Sequence, residues 1–358
     1  MHFRIFFLIL LLAYCQPDGF SIVDLHNDRS FFITAQQISF ADCSRTQICL
    51  HNYADSKYFF TLWRPELPIY ARSPWQLTKS QAARLNRLTH FEYLQQALTD
   101  LKATGIRVSN DPKNILTRKA TIFWGIEGSF LLRHHASPKK WHSYAPELEF
   151  MLNWAESEKL SYLGQRWSAK SIFIGNQNEA TVGLSKRGRY LVKQLVKRAI
   201  LIDLSHSSRA GVKDVHSMTQ GQYPLFFSHA GVGAFCDHPR NLTDEQLRLV
   251  QQSGGLVGVI YYPSYLTCSK NATIHDVVRH IKYIRDNFGI DHVGLGSDFD
   301  SFINLPEGLA SLEDVPTLFL LLKKQGFTEA EIRKIGFENM YRVMKRVRHL
   351  REMKLLDE

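Results

Sequence analysis

The chain has 358 residues, is 44% hydrophobic and carries a formal net charge of +10 at neutral pH. That length and apolar content allow a substantial core, arranged either as two ordinary domains or as one large α/β barrel. The positive charge is scattered, and its densest group, Lys345-Arg346-Val347-Arg348-His349-Leu350-Arg351, falls on a helical pattern. With no zinc-finger spacing, aromatic-basic repeat or phosphate-binding glycine loop beside it, this group reads as a solvated helix face, and a nucleic-acid partner is not expected.

The stretch from Met1 to about Tyr14 opens weakly basic at His2 and Arg4 and continues as the apolar run Ile5 to Ala13. It is too short to span a bilayer and has the proportions of a secretory signal peptide, so residues 1–20 are read as a signal and 21–358 as the working domain. Export to a periplasmic or extracellular location is the expectation. Membrane association through lipid on Cys15 is the lesser alternative, because bulky Tyr14 precedes that cysteine. Beyond Cys15 stand Cys43, Cys49, Cys236 and Cys268, an even set compatible with disulfides or with isolated buried thiols, and without the spacing of a zinc site.

Ser21 to Leu25 reads as a buried strand that delivers His26 and Asp28. Residues two apart on a strand face the same side about 6–7 Å apart, so an imidazole and a carboxylate at this spacing can grip one metal ion, although a lone His-x-Asp is common. Lys57 to Trp63 is a second strand, closed by Arg64-Pro65 and Pro68. Helical spacing of apolar residues from Lys79 to Leu101 then predicts a helix. Ala120 to Trp124 is a third strand ending in Gly125-Ile126-Glu127-Gly128, where glycines let other groups approach a carboxylate closely. A helix from about Pro146 to Ser157 precedes a fourth strand within Leu160 to Trp167, and the Asn- and Gly-rich Ile172 to Thr181 reads as loop.

An amphipathic helix from Gly188 to Arg198 feeds the strand Ile200 to Leu204, which ends in Ser205-His206, and Tyr223 to Phe227 ends likewise in Ser228-His229. An isolated histidine on an apolar run is ordinarily a core residue, but two successive runs ending the same way point to a shared task. Thr243-x-x-Gln246 is a capping-box pattern opening a helix through Val250. Gly254 to Tyr262 is a seventh strand, Ile274 to Phe288 a helix, and Val293 to Asp300 the eighth strand with Asp298 near its end. A last helix runs from the capping box at Thr328 and Glu331 to about His349.

Eight strands with helices in most gaps fit a (β/α)8 barrel of the TIM type with a C-terminal helix. His26, Asp28, Glu127, His206, His229 and Asp298 all fall at the C-terminal ends of their runs, where barrel enzymes carry their chemistry.

The segments Asp24-Leu25-His26-Asn27-Asp28, Gly125-Ile126-Glu127-Gly128, Ile202-Asp203-Leu204-Ser205-His206, Phe227-Ser228-His229, Pro239-Arg240-Asn241 and Gly296-Ser297-Asp298-Phe299-Asp300 together resemble, in order, the membrane dipeptidase (renal dipeptidase) family of amidohydrolase-like metallopeptidases. The resemblance implies a zinc-dependent dipeptidase with two Zn2+ ions. His26, Asp28 and Asp298 match the ligands of the first ion, His206 and His229 those of the second, and Glu127 the bridging carboxylate. It also implies that a water between the ions attacks the peptide carbon, with Asp298 as the catalytic acid and base.

Arg240 matches the residue that binds the carboxylate of a small dipeptide, including one with a D-residue second, and Tyr262 a position on the opposite wall. Cys236 and Cys268 match a disulfide of the animal members, and family members often pair as homodimers. Where animal members carry a histidine that polarises the substrate carbonyl, Trp167 stands beside Arg166, which puts the substrate preference in doubt. A related binuclear metal hydrolase acting on another amide or a lactam, and a catalytically silent metal-binding scaffold, are the alternatives.

Overall fold

The computed structural model describes residues 22–36, 46–48, 57–62, 78, 80–81, 87–128, 141–164, 171–301 and 303–356. Its strands are β1 (Val23–Asn27), β2 (Lys57–Leu62), β3 (Arg107–Val108), β4 (Thr121–Glu127), β5 (Tyr162–Gly164), β6 (Leu201–Asp203), β7 (Phe226–Ala230), β8 (Leu256–Val259) and β9 (Val293–Leu295). All pair in parallel. Pairing of β2 with β4, from Lys57 opposite Thr121 to Leu62 opposite Ile126, closes eight of them into a ring. The two-residue β3 borders only the start of β4 and stands outside the ring, a strand that its two residues were too few to announce.

Parallel barrel strands are covered on both faces, which is why they appear in the sequence as continuous apolar runs. The two faces differ in what they meet. Along β4, Phe123 stacks on Phe59 of β2 (4.8 Å between centroids), while the next residue, Trp124, meets Trp154 of an outer helix (5.9 Å). Tyr162 touches both Phe59 and Phe226, which lie on strands that do not neighbour its own, so these rings fill the barrel interior. Alternation then sends Gly125 and Glu127 inward above Phe123.

The helices are α1 (Arg29–Gln36), α2 (His90–Ala103), α3 (Trp141–Ser157), α4 (Lys186–Lys197), α5 (Arg209–Met218), α6 (Asp244–Gln252), α7 (Pro263–Leu266), α8 (Ile274–Phe288), α9 (Val315–Lys324), α10 (Glu329–Arg333) and α11 (Asn339–Glu352). The capping boxes at Thr243 and Thr328 are formed, and a third opens α2 at Thr89. The tail expected as one helix contains a π turn over Lys334–Glu338. There the Asn339 amide donates to the carbonyls of Ile290 (2.8 Å) and Val293 (2.9 Å), which docks the tail against the start of β9. Among the described residues no helix is long and apolar enough to cross a membrane. The proposed signal, Cys15, Cys43 and Cys49 lie outside the described residues.

The strands that carry the site crowd together at one point. A Cβ on Gly258 or on Gly296 would lie 2.1 Å from the carbonyl oxygen of Ser228. Backbone on both sides leaves nothing to rotate away. Gly258→Ala is therefore expected to cost roughly 2 kcal/mol or more through overpacking, read as a lowered unfolding midpoint in denaturant with an unchanged slope.

Candidate metal centre

Each site residue stands at or just past the C-terminal end of a barrel strand. His26 lies in β1 with Asp28 one residue beyond it, Glu127 ends β4 and His229 lies in β7. His206 and Asp298 lie three residues past β6 and β9. Both adopt left-handed backbone, at φ +67° and +61°, as does Asp300 at +57°. Such conformations in residues other than glycine are strained and persist where surrounding contacts impose them.

Those contacts are visible. Asp24, buried in β1, accepts the Ser297 backbone N–H (2.9 Å) and hydroxyl (2.8 Å), Asp298 N donates to His26 O (3.0 Å), and Asp28 N donates to Phe299 O (2.8 Å). The turn bearing Asp298 is thereby laced to the end of β1. Register shifts interrupt β1 between Asp24 and Asn27 and β7 between Phe227 and Ala230. A bulge re-aims side chains that strict alternation would separate, so Ser228 and His229, adjacent in sequence, both reach the barrel mouth.

The ligand candidates gather as two groups. In the first, His26 Nε2 lies 3.7 Å from Asp28 Oδ1 and 3.6 Å from Asp298 Oδ1. In the second, Glu127 Oε1 lies 2.9 Å from His206 Nε2 and 3.6 Å from His229 Nε2, and the two imidazole nitrogens are 3.1 Å apart. The groups adjoin, with the His26 and His229 rings 3.8 Å apart. A third cluster of His26, Asp203 and His229 is close enough to hold an ion, but Asp203 is already committed. Its carboxylate accepts Ser205 N (3.0 Å), Ser228 N (3.0 Å) and Ser228 Oγ (2.6 Å).

That commitment orients the imidazoles. The Ser228 hydroxyl proton goes to Asp203, so its oxygen accepts from the histidines, with His229 Nδ1 at 2.9 Å and His26 Nδ1 at 3.1 Å. A proton held at Nδ1 leaves the Nε2 lone pair facing the site, the arrangement by which outer groups prepare a histidine for a metal.

Burial keeps all three imidazoles neutral. Desolvation, aided by the Arg240 charge, pushes His26 down to about 3, and His206 and His229 are also held well below the usual histidine value by burial first. Desolvation raises Asp298 to about 7, and it lifts Glu127 well above the usual carboxylate range, with Asp298 as the next cause. Neutral imidazoles among crowded carboxyl groups form a donor set suited to a divalent cation. His26 Nε2 is buried without a hydrogen-bond partner among the described residues, as a group awaiting such a cation would be.

Arg240, on the loop after β7, is 4% exposed and donates through Nη2 to His229 O (3.3 Å). Its Nε has no hydrogen-bond partner among the described residues, so a buried cation with an unspent donor sits beside the donor groups. Its guanidinium lies 5.6 Å from the Tyr265 ring, and Tyr262 meets Tyr265 edge-on at 4.8 Å. Tyr265, not singled out in the sequence, thus meets both the arginine and Tyr262. Trp167 and Arg166 lie outside the described residues. Asp24, Asp203, Ser228 and Ser297 were also missed as site residues, although each sits inside a segment that carries a ligand. A disulfide joins Cys236 to Cys268.

A family model described as membrane dipeptidase (peptidase family M19) matches residues 18–357. A dipeptidase of Aspergillus oryzae, aclJ, is 34% identical over 170 residues, 47% of this chain, and an uncharacterized dipeptidase of Schizosaccharomyces pombe is 36% identical over 165 residues, 46% of this chain. The chain spans 40% of the length of each of these relatives. A metallopeptidase from Rhodobacter sphaeroides, solved with a phosphinate mimic of L-Ala-D-Ala, shares the fold with a TM-score of 0.75 at 23% identity, covering 92% of this chain and 100% of its own. A probable dipeptidase, PvdM, from Pseudomonas aeruginosa gives 0.76 at 17% identity, covering 95% of this chain and 99% of its own. The chain belongs to the membrane dipeptidase family.

Proposed function

We propose that the chain is a dipeptidase that holds two zinc ions and cleaves small dipeptides, including those with a D-residue second. The observation that carries this reading is the convergence of His26, Asp28 and Asp298 with Glu127, His206 and His229 beside the buried guanidinium of Arg240. The phosphinate mimic of L-Ala-D-Ala bound to the Rhodobacter protein supports a dipeptide as the ligand class. His26, Asp28 and Asp298 would hold one ion and His206 and His229 the other, with Glu127 shared. Two such ions, when bound, favour a hydroxide nucleophile near neutral pH and polarise an amide carbonyl.

The chain's own residues do the rest. Arg240 binds the substrate carboxylate through a planar guanidinium, which limits substrates to those whose free C-terminus lies one residue from the scissile bond. The Asp298 side chain is 12% exposed, against 3% for Asp28 and 4% for Glu127, so it is the carboxyl of the set open to a ligand. It can take a proton and return it to the leaving amine. Export to an oxidising compartment, periplasmic or extracellular, agrees with the Cys236–Cys268 disulfide.

Purified protein loaded with zinc is expected to release free amino acids from a panel of L,L and L,D dipeptides, to bind two equivalents of metal and to fall silent after chelation. Asp298→Asn should lower kcat by roughly 100-fold or more. Activity confined to acyl amino acids or β-lactams, or none on the panel, would sink the dipeptidase reading.

Arg240→Met should reduce kcat/KM on a dipeptide by roughly 100-fold, most of it in KM, through loss of a buried charge-assisted contact. The same substitution should change little on a dipeptide amide, which lacks the carboxylate. Equal losses on both substrates would remove Arg240 from its role.

Metal uptake should depend on pH in a defined direction. Asp298, raised from 3.8 to about 7, keeps its proton below about 7 in the metal-free fold, whereas His26, lowered to about 3, offers its lone pair throughout that range. A cation must displace the carboxyl proton, so affinity weakens as pH falls below about 7, by up to about tenfold per unit for each proton displaced. Calorimetric titration in two buffers of different ionisation enthalpy measures that proton release.

A further inference from the structure

Two loops wall the candidate site. Residues 231–243 follow β7 and carry Arg240, and residues 260–273 follow β8 and carry Tyr262 and Tyr265. They are joined directly by the Cys236–Cys268 disulfide and by the Asn241 amide, which donates to Cys236 O (2.9 Å) and Tyr265 O (2.7 Å). Both also meet α8 through one fully buried side chain, His280.

Each ring nitrogen of His280 holds a different loop. Val232 N donates to Nδ1 at 3.0 Å, and Nε2 donates to Leu266 O at 2.9 Å. A carbonyl can only accept, so the proton sits on Nε2 and the lone pair on Nδ1, which fixes one neutral tautomer. Burial favours the same form by pushing the ring down to about 4. Val232 is three residues past His229, and Leu266 follows Tyr265. Phe235 of the first loop packs on the His280 ring (5.1 Å between centroids) and under the Arg279 guanidinium (4.4 Å).

We infer that His280 is a positioning residue for substrate recognition, a rigid strut that sets the separation of the Arg240 wall from the Tyr265 wall without touching ligand or metal. The inference rests on the proposed role of Arg240 as the carboxylate clamp. The disulfide ties the loops to each other, and His280 ties both to the barrel's outer layer, so together they fix a spacing that either alone leaves free. Replacing the ring with an apolar side chain leaves the Val232 N–H buried and unsatisfied and the Leu266 carbonyl with only the longer Arg279 Nη2 contact (3.4 Å), and the walls relax to find other partners.

The test is steady-state kinetics and metal analysis on zinc-loaded, full-length His280→Leu and His280→Gln. His280→Leu is expected to raise the dipeptide KM by about tenfold or more, the scale of one buried hydrogen bond, with kcat within about twofold and metal content at the wild-type level. His280→Gln, whose carboxamide both accepts and donates, should recover most of that KM. A KM unchanged in His280→Leu overturns the inference, as does kcat falling in step with metal content in both variants. If His280→Leu does not fold, His280→Asn, which reaches only one of the two partners, takes its place, and a wild-type KM there is equally fatal.

If the wild-type protein cleaves no dipeptide, the proposed function fails separately, and amide hydrogen exchange decides the strut. Exchange about tenfold faster across 231–243 and 260–273 in the variant supports it, and unchanged exchange removes it.

Discussion

Burial of three carboxyl groups, Asp28, Glu127 and Asp298, against three neutral imidazoles at the mouth of one barrel is the constraint on which the rest of the site depends. Desolvation favours the protonated form of Glu127 and Asp298 and the uncharged form of the imidazoles, a state in which the ring lone pairs are left without a partner cation. The fold answers with one nearby cation, Arg240, whose charge acts on the histidines and carboxyls alike. Neutral imidazoles and carboxyl groups gathered in this way are a donor set suited to divalent metal, and an extensive supporting layer surrounds them.

That supporting layer works by removing freedom. Asp203 takes the Ser228 hydroxyl proton, Ser228 takes the Nδ1 protons, and the Nε2 lone pairs are left facing inward. Asp24 does the equivalent for backbone, holding the Ser297 turn so that Asp298 keeps its left-handed conformation. Glycines at 258 and 296 let the strands beneath these turns close to within reach of Ser228 O. The ligands are thus set by strand ends, their protonation by a buried acid and serine, and their approach by missing side chains.

Much of this was legible in the sequence because a barrel strand covered on both faces reads as an apolar run, and the eight ring strands were found that way. Strand ends were less legible. Val293 to Asp300 reads as one run, but β9 stops at Leu295 because the chain turns through Ser297 and Asp298, and no residue there signals a left-handed backbone as glycine would. The bulge at Ser228 and His229 is likewise invisible, since an inserted residue changes register without changing composition. Helices α1, α5 and α9 were passed over, and the apolar run Gly254 to Tyr262 contains only a four-residue strand followed by the turn into α7. Outer residues such as Asp203 escaped notice because a buried acid that feeds a serine has no spacing of its own.

The two halves of the site are built to different standards of rigidity. The candidate metal ligands sit on strands or within three residues of them. Arg240 and the tyrosines sit on loops, and loops tolerate change in length and sequence that strands do not. A carboxylate clamp on a loop must still hold its place to a fraction of an ångström to discriminate substrates. The disulfide, the Asn241 amide and the His280 ring supply that order from outside the ring, at points that touch neither metal ligands nor ligand. On the proposed roles, metal binding and substrate selection are separable in this fold: the barrel would fix the chemistry, and the braces on two loops what is presented to it.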